Sequence, residues 1–214
     1  KETEMWKQAI RLISHELNNS LAPIASLTKS AKKIMKSPEH QNMLEDVLET
    51  IGRRSSHLHE FISQYANFAR LPKPEIKQWA LAPFFNSISN LVDTDCQIST
   101  DVTHAEFDAA QIEQVLINLV KNAKESGSAP DDVGINITQE LNALVISVFD
   151  RGSGLSENQM QQALMPFFST KPQGSGIGLA LCNEIVANHD GKLHLFNRDN
   201  GGLCVSFSLN LATN

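Results

Sequence analysis

At residues 70–75 the chain changes its hydrophobic period. Arg70-Leu-Pro-Lys-Pro-Glu75 carries two prolines and no repeat, and a residue before proline is pushed away from the helical region. No single regular element runs through it. With Ile10 as heptad position a, the a positions are Ile10, Leu17, Ile24 and Ala31, and the d positions are Ile13, Ser20, Leu27 and Ile34. Ser37-Pro-Glu-His40 breaks this pattern, because Pro38 stops a helix. The repeat resumes with Leu44, Ile51, Leu58 and Tyr65 at a, and Val47, Arg54, Phe61 and Phe68 at d. Two antiparallel helices with apolar seams cannot bury both faces alone, which predicts a homodimeric four-helix bundle built from residues 1–70. The polar exceptions, Ser20 and Arg54, fall at similar heights of such a hairpin and predict a looser layer there.

Beyond residue 75 strand and helix patterns alternate. Strands are expected near 76–81, 96–100, 104–107, 133–139, 143–149, 192–197 and 203–210, and helices near 83–92, 109–126 and 177–189. That mixture predicts an α/β layer with helices on one face of a mixed sheet. Charge divides at the same place: 10 basic against 8 acidic residues up to Arg70, and 8 against 16 after it. The resulting net charge of −6 argues against a nucleic-acid binder, which usually presents a basic face. With 41% hydrophobic residues the chain can build a core, and no apolar run approaches the ~20 residues of a membrane span. Cys96, Cys182 and Cys204 are odd in number and never spaced as C-x-x-C, which fits a reducing compartment. The chain opens at Lys1 without a signal-peptide pattern, which predicts a piece of a longer protein.

The first chemical candidate is Ser14-His15-Glu16-Leu17-Asn18-Asn19. In the heptad count His15 falls at f, the most solvent-facing position, with Glu16 at g and Asn19 at c. H-E-x-x-N lacks the second histidine of the zinc-protease motif, and no residue at a suitable spacing repairs it, so zinc is rejected. What remains is an exposed imidazole, largely neutral near pH 7 and able to act as a nucleophile. Glu16 is placed to hold its tautomer or take its proton.

Four further segments combine. Asn118 and Asn122 stand at i and i+4 of a helical run, alongside Lys121, where amide oxygens suit a hard cation and the lysine suits phosphate. Val148-Phe-Asp150-Arg-Gly152-Ser-Gly154 ends an apolar strand at a carboxylate followed by glycines that let backbone lie close to a ring. Pro166-Phe-Phe-Ser-Thr170-Lys171-Pro-Gln-Gly174-Ser-Gly176-Ile-Gly178-Leu179 runs into an amphipathic helix, and free N–H groups at a helix start bind anions. The polar stretch 169–175 reads as a lid; Phe167 and Phe168 either anchor its base or belong to the core. Neither the P-loop nor the G-x-G-x-x-G fingerprint occurs.

Taken in order, H-E-x-x-N, N-x-x-x-N, D-x-G-x-G, F-F-S-T-K and G-x-G-x-G resemble the catalytic core of bacterial two-component sensor histidine kinases, over nearly the whole chain. The stretch Asn18-Asn19-Ser20-Leu21-Ala22-Pro23-Ile24 is most similar to the nitrogen-regulatory-type branch. The resemblance implies an α plus α/β chain: a dimerisation and histidine-phosphotransfer hairpin (1–70), a linker (71–75), and an α/β-sandwich ATP-binding domain of the gyrase/histidine-kinase superfamily (76–214). It implies ATP and Mg²⁺ as cofactors, autophosphorylation of His15, transfer to an aspartate of a response-regulator receiver domain, and phosphatase activity toward that regulator. By the same resemblance Glu16 is the acid/base partner and Asn19 serves dephosphorylation. Asn122 ligates Mg²⁺, with Asn118 and Lys121 near the phosphates. Asp150 recognises the adenine amine in a pocket shaped by Gly152 and Gly154, while Thr170, Lys171, Gly174, Gly176, Gly178 and Leu179 complete the ATP site.

Gyrase-like hydrolysing ATPases carry a glutamate four residues before the metal-binding asparagine. Here that position is Asn118, an amide that cannot be a general base, which favours transfer to a protein nucleophile. Two departures stand out against the family pattern. Ser20 occupies the place of a common proline, the chain's own being Pro23, and Glu125 stands where many relatives have lysine, so that phosphate contact is not carried over. The resemblance further implies a cytoplasmic fragment without membrane contact, compatible with a parent anchored in the bacterial inner membrane. A net phosphatase and a non-catalytic ATP-binding scaffold are the competing readings.

Overall fold

The structure, a computed structural model, describes residues 2–36, 42–171 and 174–211, with backbone alone at 2–13, 15, 16, 60, 64, 67 and 69. The chain divides into two compact units, residues 1–70 and 71–214.

The first unit is a pair of packed helices, α1 (Glu2–Ile34) and α2 (Asn42–Ala69). So short a connection makes them an antiparallel hairpin; the expected break at 37–40 lies outside the described residues. Along the seam Ser20, Ala31 and Phe61 are buried, while Leu17, Ile24, Leu27, Ile34, Leu44, Val47, Ile51, Leu58, Tyr65 and Phe68 are half-buried. The heptad reading therefore holds over these residues; the side chains of Ile10 and Ile13 lie outside the described ones. Ser20 is 2% exposed, small enough to sit in the seam, whereas the long charged Arg54 is exposed. Pro23 lies inside α1, where it contributes no N–H to the preceding turn. Leu21, Met35, Met43, Leu48 and Ile62 remain exposed on this unit. Among the described residues no helix is long and apolar enough to cross a membrane.

The second unit runs β1 (Lys77–Ala80), α3 (Leu81–Val92), β2 (Asp95–Ser99), β3 (His104–Phe107), α4 (Ala109–Lys124), a 3-10 turn (Pro130–Asp132), β4 (Gly134–Glu140), β5 (Ala143–Phe149), α5 (Glu157–Gln162), α6 (Gly178–Asn188), β6 (Leu193–Asn197) and β7 (Leu203–Asn210). The main sheet has the order β2-β4-β5-β7-β6. Only β2 and β4 pair in parallel, the other neighbours being antiparallel. β1 and β3 form a separate antiparallel ribbon. Side chains alternate across the sheet. Ile135, Ile137, Leu144, Ile146, Val148, Val205, Phe207 and Leu209 are buried on one face, which α4 and α6 cover with Ile112, Leu116, Leu119 and Ile185. On the other face Asn136, Ser147, Ser206 and His194 lie in one register row. The result is a mixed sheet with its apolar side under the helices.

Residues 71–75 belong to this unit rather than hanging between the two. The Pro72 carbonyl accepts from Gln111 Nε2 at 3.0 Å, and the Glu75 N–H donates to Asp108 Oδ2 at 2.8 Å. Asp108 also caps α4, accepting from the Gln111 N–H at 3.1 Å. Burial raises the Asp108 pKa, but the backbone N–H bonds from Glu75, Gln111 and Ala110 and the nearby His189 outweigh it and hold the carboxyl below its ordinary value.

Candidate functional site

The site of the second unit is built around the C-terminal half of α4. Ile112, Val115, Leu116, Leu119, Val120 and Ala123 form the buried stripe of this helix, so the residues between them point elsewhere. Asn118 and Asn122 are half-buried, and Lys121 and Glu125 are exposed. Asn118 hydrogen-bonds the Cys182 thiol of α6, which fastens α4 to the helix that follows the glycine run. Burial pushes that thiol up to about 12.

The segment before α6 closes on itself. The Phe167 N–H donates to the Gly176 carbonyl at 2.8 Å. Phe167 takes a φ of 70° and Gly176 one of 66°, and a Cβ at Gly176 would stand 2.5 Å from the Phe167 carbonyl carbon. Only glycine fits there. Phe167 and Phe168 are half-buried rather than core. Ser169 Oγ accepts from the Lys171 N–H at 3.1 Å, and the Gly174 N–H donates to the Lys171 carbonyl at 3.1 Å. This turn sends Lys171 Nζ to Glu125 Oε2, 2.6 Å away, and to within 3.5 Å of Asn122 Oδ1. Thr170 is exposed beside it, Leu179 is half-buried on the first turn of α6, and Gly178 has open space where a side chain would stand. α6 begins at Ile177 without a side-chain cap, and the first N–H groups of a helix have no intrahelical acceptor.

The third component is the loop after β5. Asp150 is 5% exposed, and its Oδ1 accepts from the N–H groups of Gly152 at 2.7 Å and Leu203 at 3.3 Å. Two such bonds offset much of the cost of burying a carboxylate. Its carbonyl accepts from Arg198 Nη1 at 2.9 Å, and the same guanidinium lies 4.6 Å from the centre of the Phe149 ring. The loop is tied to the end of α4: the Arg151 N–H donates to Ser128 Oγ at 2.8 Å, and Gly152 lies so close to Ser126 that a Cβ would collide with it. Gly154 stands against Asn197 Oδ1, 2.6 Å from where a Cβ would be.

Asn122, Lys171 and the Arg151-Gly152 loop thus meet at or just beyond the end of α4. On the first unit, His15 and Glu16 lie in α1, their side chains outside the described residues. Asn19, one turn on, is exposed. Arg198, Ser126, Ser128 and Gly202 were not foreseen. A Cβ on Gly202 would strike the Asp150 carbonyl; Asn200-Gly-Gly202 reads in sequence only as a turn, and its contact with Asp150 is long-range.

These features agree with what the chain matches. Residues 107–213 fit the model of the histidine kinase-, DNA gyrase B- and HSP90-like ATPases, and the chain belongs to that family. It has the catalytic core of a two-component sensor histidine kinase, of NtrY-like similarity. An NtrY-like sensor histidine kinase of Rickettsia bellii is 31% identical over 96% of this chain and 35% of its own length. The nitrogen regulation protein NtrY of Azorhizobium caulinodans is 27% identical over 91% of this chain and 27% of its own. The chain therefore spans a minor part of such relatives. The catalytic domain of histidine kinase ThkA, solved nucleotide-free, is 30% identical, with a TM-score of 0.56 over 64% of this chain and 96% of that one. ThkA solved in complex with the response regulator protein TrrA shares the fold over 99% of this chain and 63% of that one, with a TM-score of 0.75 at 22% identity.

Proposed function

We propose that the chain phosphorylates itself on His15 from ATP and passes the phosphoryl group to an aspartate of a response-regulator receiver domain. The observation that carries this reading is the contact of Lys171 Nζ with Asn122 Oδ1 at the end of α4, in a chain that also holds a buried, backbone-bonded Asp150 and an α6 start without a side-chain cap. Residues 1–70 then serve as the dimerisation and phosphotransfer hairpin, and residues 76–214 as the catalytic domain. The exposed Leu21, Leu48 and Ile62 of the hairpin favour pairing with a second copy.

Asp150 has Oδ1 occupied by backbone, so Oδ2 is the oxygen to accept the adenine amine, with Gly152 and Gly154 shaping the loop by packing against Ser126 and Asn197. Asn118 and Lys121 flank the phosphates, and Thr170, Lys171, Gly174, Gly176, Gly178 and Leu179 surround them from the lid side. Asn122 suits Mg²⁺: its amide oxygen is a hard donor and already faces the Lys171 ammonium. Bound there with the phosphates, Mg²⁺ would neutralise the charge of the leaving diphosphate. The unprotonated nitrogen of His15 attacks the γ-phosphorus, the bond to the β-phosphate oxygen breaks, and ADP leaves. Glu16 takes the proton from the other ring nitrogen. Positioning and charge neutralisation supply most of the rate.

Incubation with γ-labelled ATP and Mg²⁺ tests this. Label that survives alkali, is lost in acid and is absent from His15→Ala is expected; a His15→Ala protein that keeps its label overturns the assignment. Asn19, exposed one turn beyond His15, favours a second activity, hydrolysis of the phosphorylated regulator. Asn19→Ala is expected to slow that decay, and coincident curves remove its role. This stretch works in the cytoplasm, without membrane contact of its own.

A further inference from the structure

Glu125 follows Asn122 by three residues, so both lie on one face of α4. It is also the C-cap of that helix, where the macrodipole is negative. The corner meant to receive phosphates thus presents a carboxylate and a negative helix end. Against these the lid sets one cation: Lys171 Nζ lies 2.6 Å from Glu125 Oε2, with side chains 35% and 45% exposed. The pair joins residues 46 apart in sequence and keeps the ammonium beside Asn122 Oδ1, on the atom a metal ion would use.

We infer that Glu125 is a specificity-determining residue: it holds Lys171 in reserve and makes the site select nucleotide carrying its divalent cation over bare nucleotide. The inference rests on the nucleotide reading above. Bare ATP, with about four negative charges, has to take Lys171 from Glu125 and then sit beside the freed carboxylate. ATP bearing Mg²⁺ brings two compensating charges, and its metal replaces the ammonium at Asn122 while Lys171 turns to phosphate. Repulsion scales with ligand charge, so Glu125 penalises the bare form more.

Calorimetric binding of ATP in EDTA and in Mg²⁺ tests this on wild type, Glu125→Gln, Lys171→Met and the double variant. Glu125 is exposed at a helix end, so Glu125→Gln is expected to keep the melting temperature. It should tighten bare ATP about tenfold and ATP with Mg²⁺ about twofold or less. In the Lys171→Met background the gain for bare ATP should fall to the part owed to carboxylate–phosphate repulsion alone, and Glu125→Asp should restore wild-type discrimination. Equal tightening of both forms, no tightening of bare ATP, or a gain undiminished without Lys171 each overturns the latch. A wild-type chain that binds ATP in neither condition overturns the nucleotide reading itself, and the latch with it.

Discussion

The helical hairpin and the α/β unit solve the burial problem differently. In the hairpin only Ser20, Ala31 and Phe61 are buried among the described residues, and Leu21, Leu48 and Ile62 stay in solvent. In the α/β unit Phe85, Phe107, Ile112, Leu116, Ile146 and Phe207 are all within 1% of complete burial. A sheet covered by helices closes its core within one chain, whereas two helices offer each other one stripe apiece. Among the described residues the hairpin thus leaves apolar side chains in solvent that the α/β unit would enclose.

The largest test of this contrast is truncation of the core. Phe107→Ala should cost about 3–5 kcal/mol and lower the denaturation midpoint of the α/β unit. Ile62→Ala, on the exposed flank of the hairpin, should leave that midpoint unchanged. Next, Leu48→Asp should shift sedimentation toward monomer without moving the melting transition of the α/β unit; an unaltered oligomeric state would erase the distinction. Gly176→Ala forces a side chain into the left-handed region against Phe167, a strain of about 1–3 kcal/mol, and should weaken ATP binding more than it lowers overall stability.

Asp108→Ala removes a helix cap, at a cost of about 1 kcal/mol. The folded-state pKa of Asp108 lies below its ordinary value, so its contribution is present above about pH 4 and lost as pH falls through the lowered value. Melting curves of the variant and wild type should converge in that acid window. The smallest expected effect concerns Cys182: buried, with its thiol held near 12, it should resist alkylation at pH 8 until the unit unfolds.

Much of this architecture was readable beforehand, because period and punctuation are local. The heptads of α1 and α2, the alternation in β4, β5 and β7 and the apolar stripe of α4 each announce their element within a dozen residues. α5 was missed because Glu157–Gln162 is short and polar, although Ser156 and Gln159 form a capping box whose S-x-x-Q spacing was in view. The pairing of β1 with β3 apart from the main sheet depends on tertiary packing. The site divides the same way. Asn122, Asp150 and Gly176 stand in local motifs that a sequence displays, whereas Arg198 reaches Asp150 across 48 residues and Glu125 meets Lys171 across 46.

The fastening of residues 71–75 to the start of α4 makes that helix a drive shaft. Its 16 residues span about 24 Å as one hydrogen-bonded rod. Pro72 and Glu75 grip its first turn through Gln111 and Asp108, and Asn122 and Glu125 ride on its last. A twist delivered to Pro72 and Glu75 is passed to the first turn of α4 by these two hydrogen bonds, and along one helix to the Asn122 amide and Glu125 carboxylate at its other end.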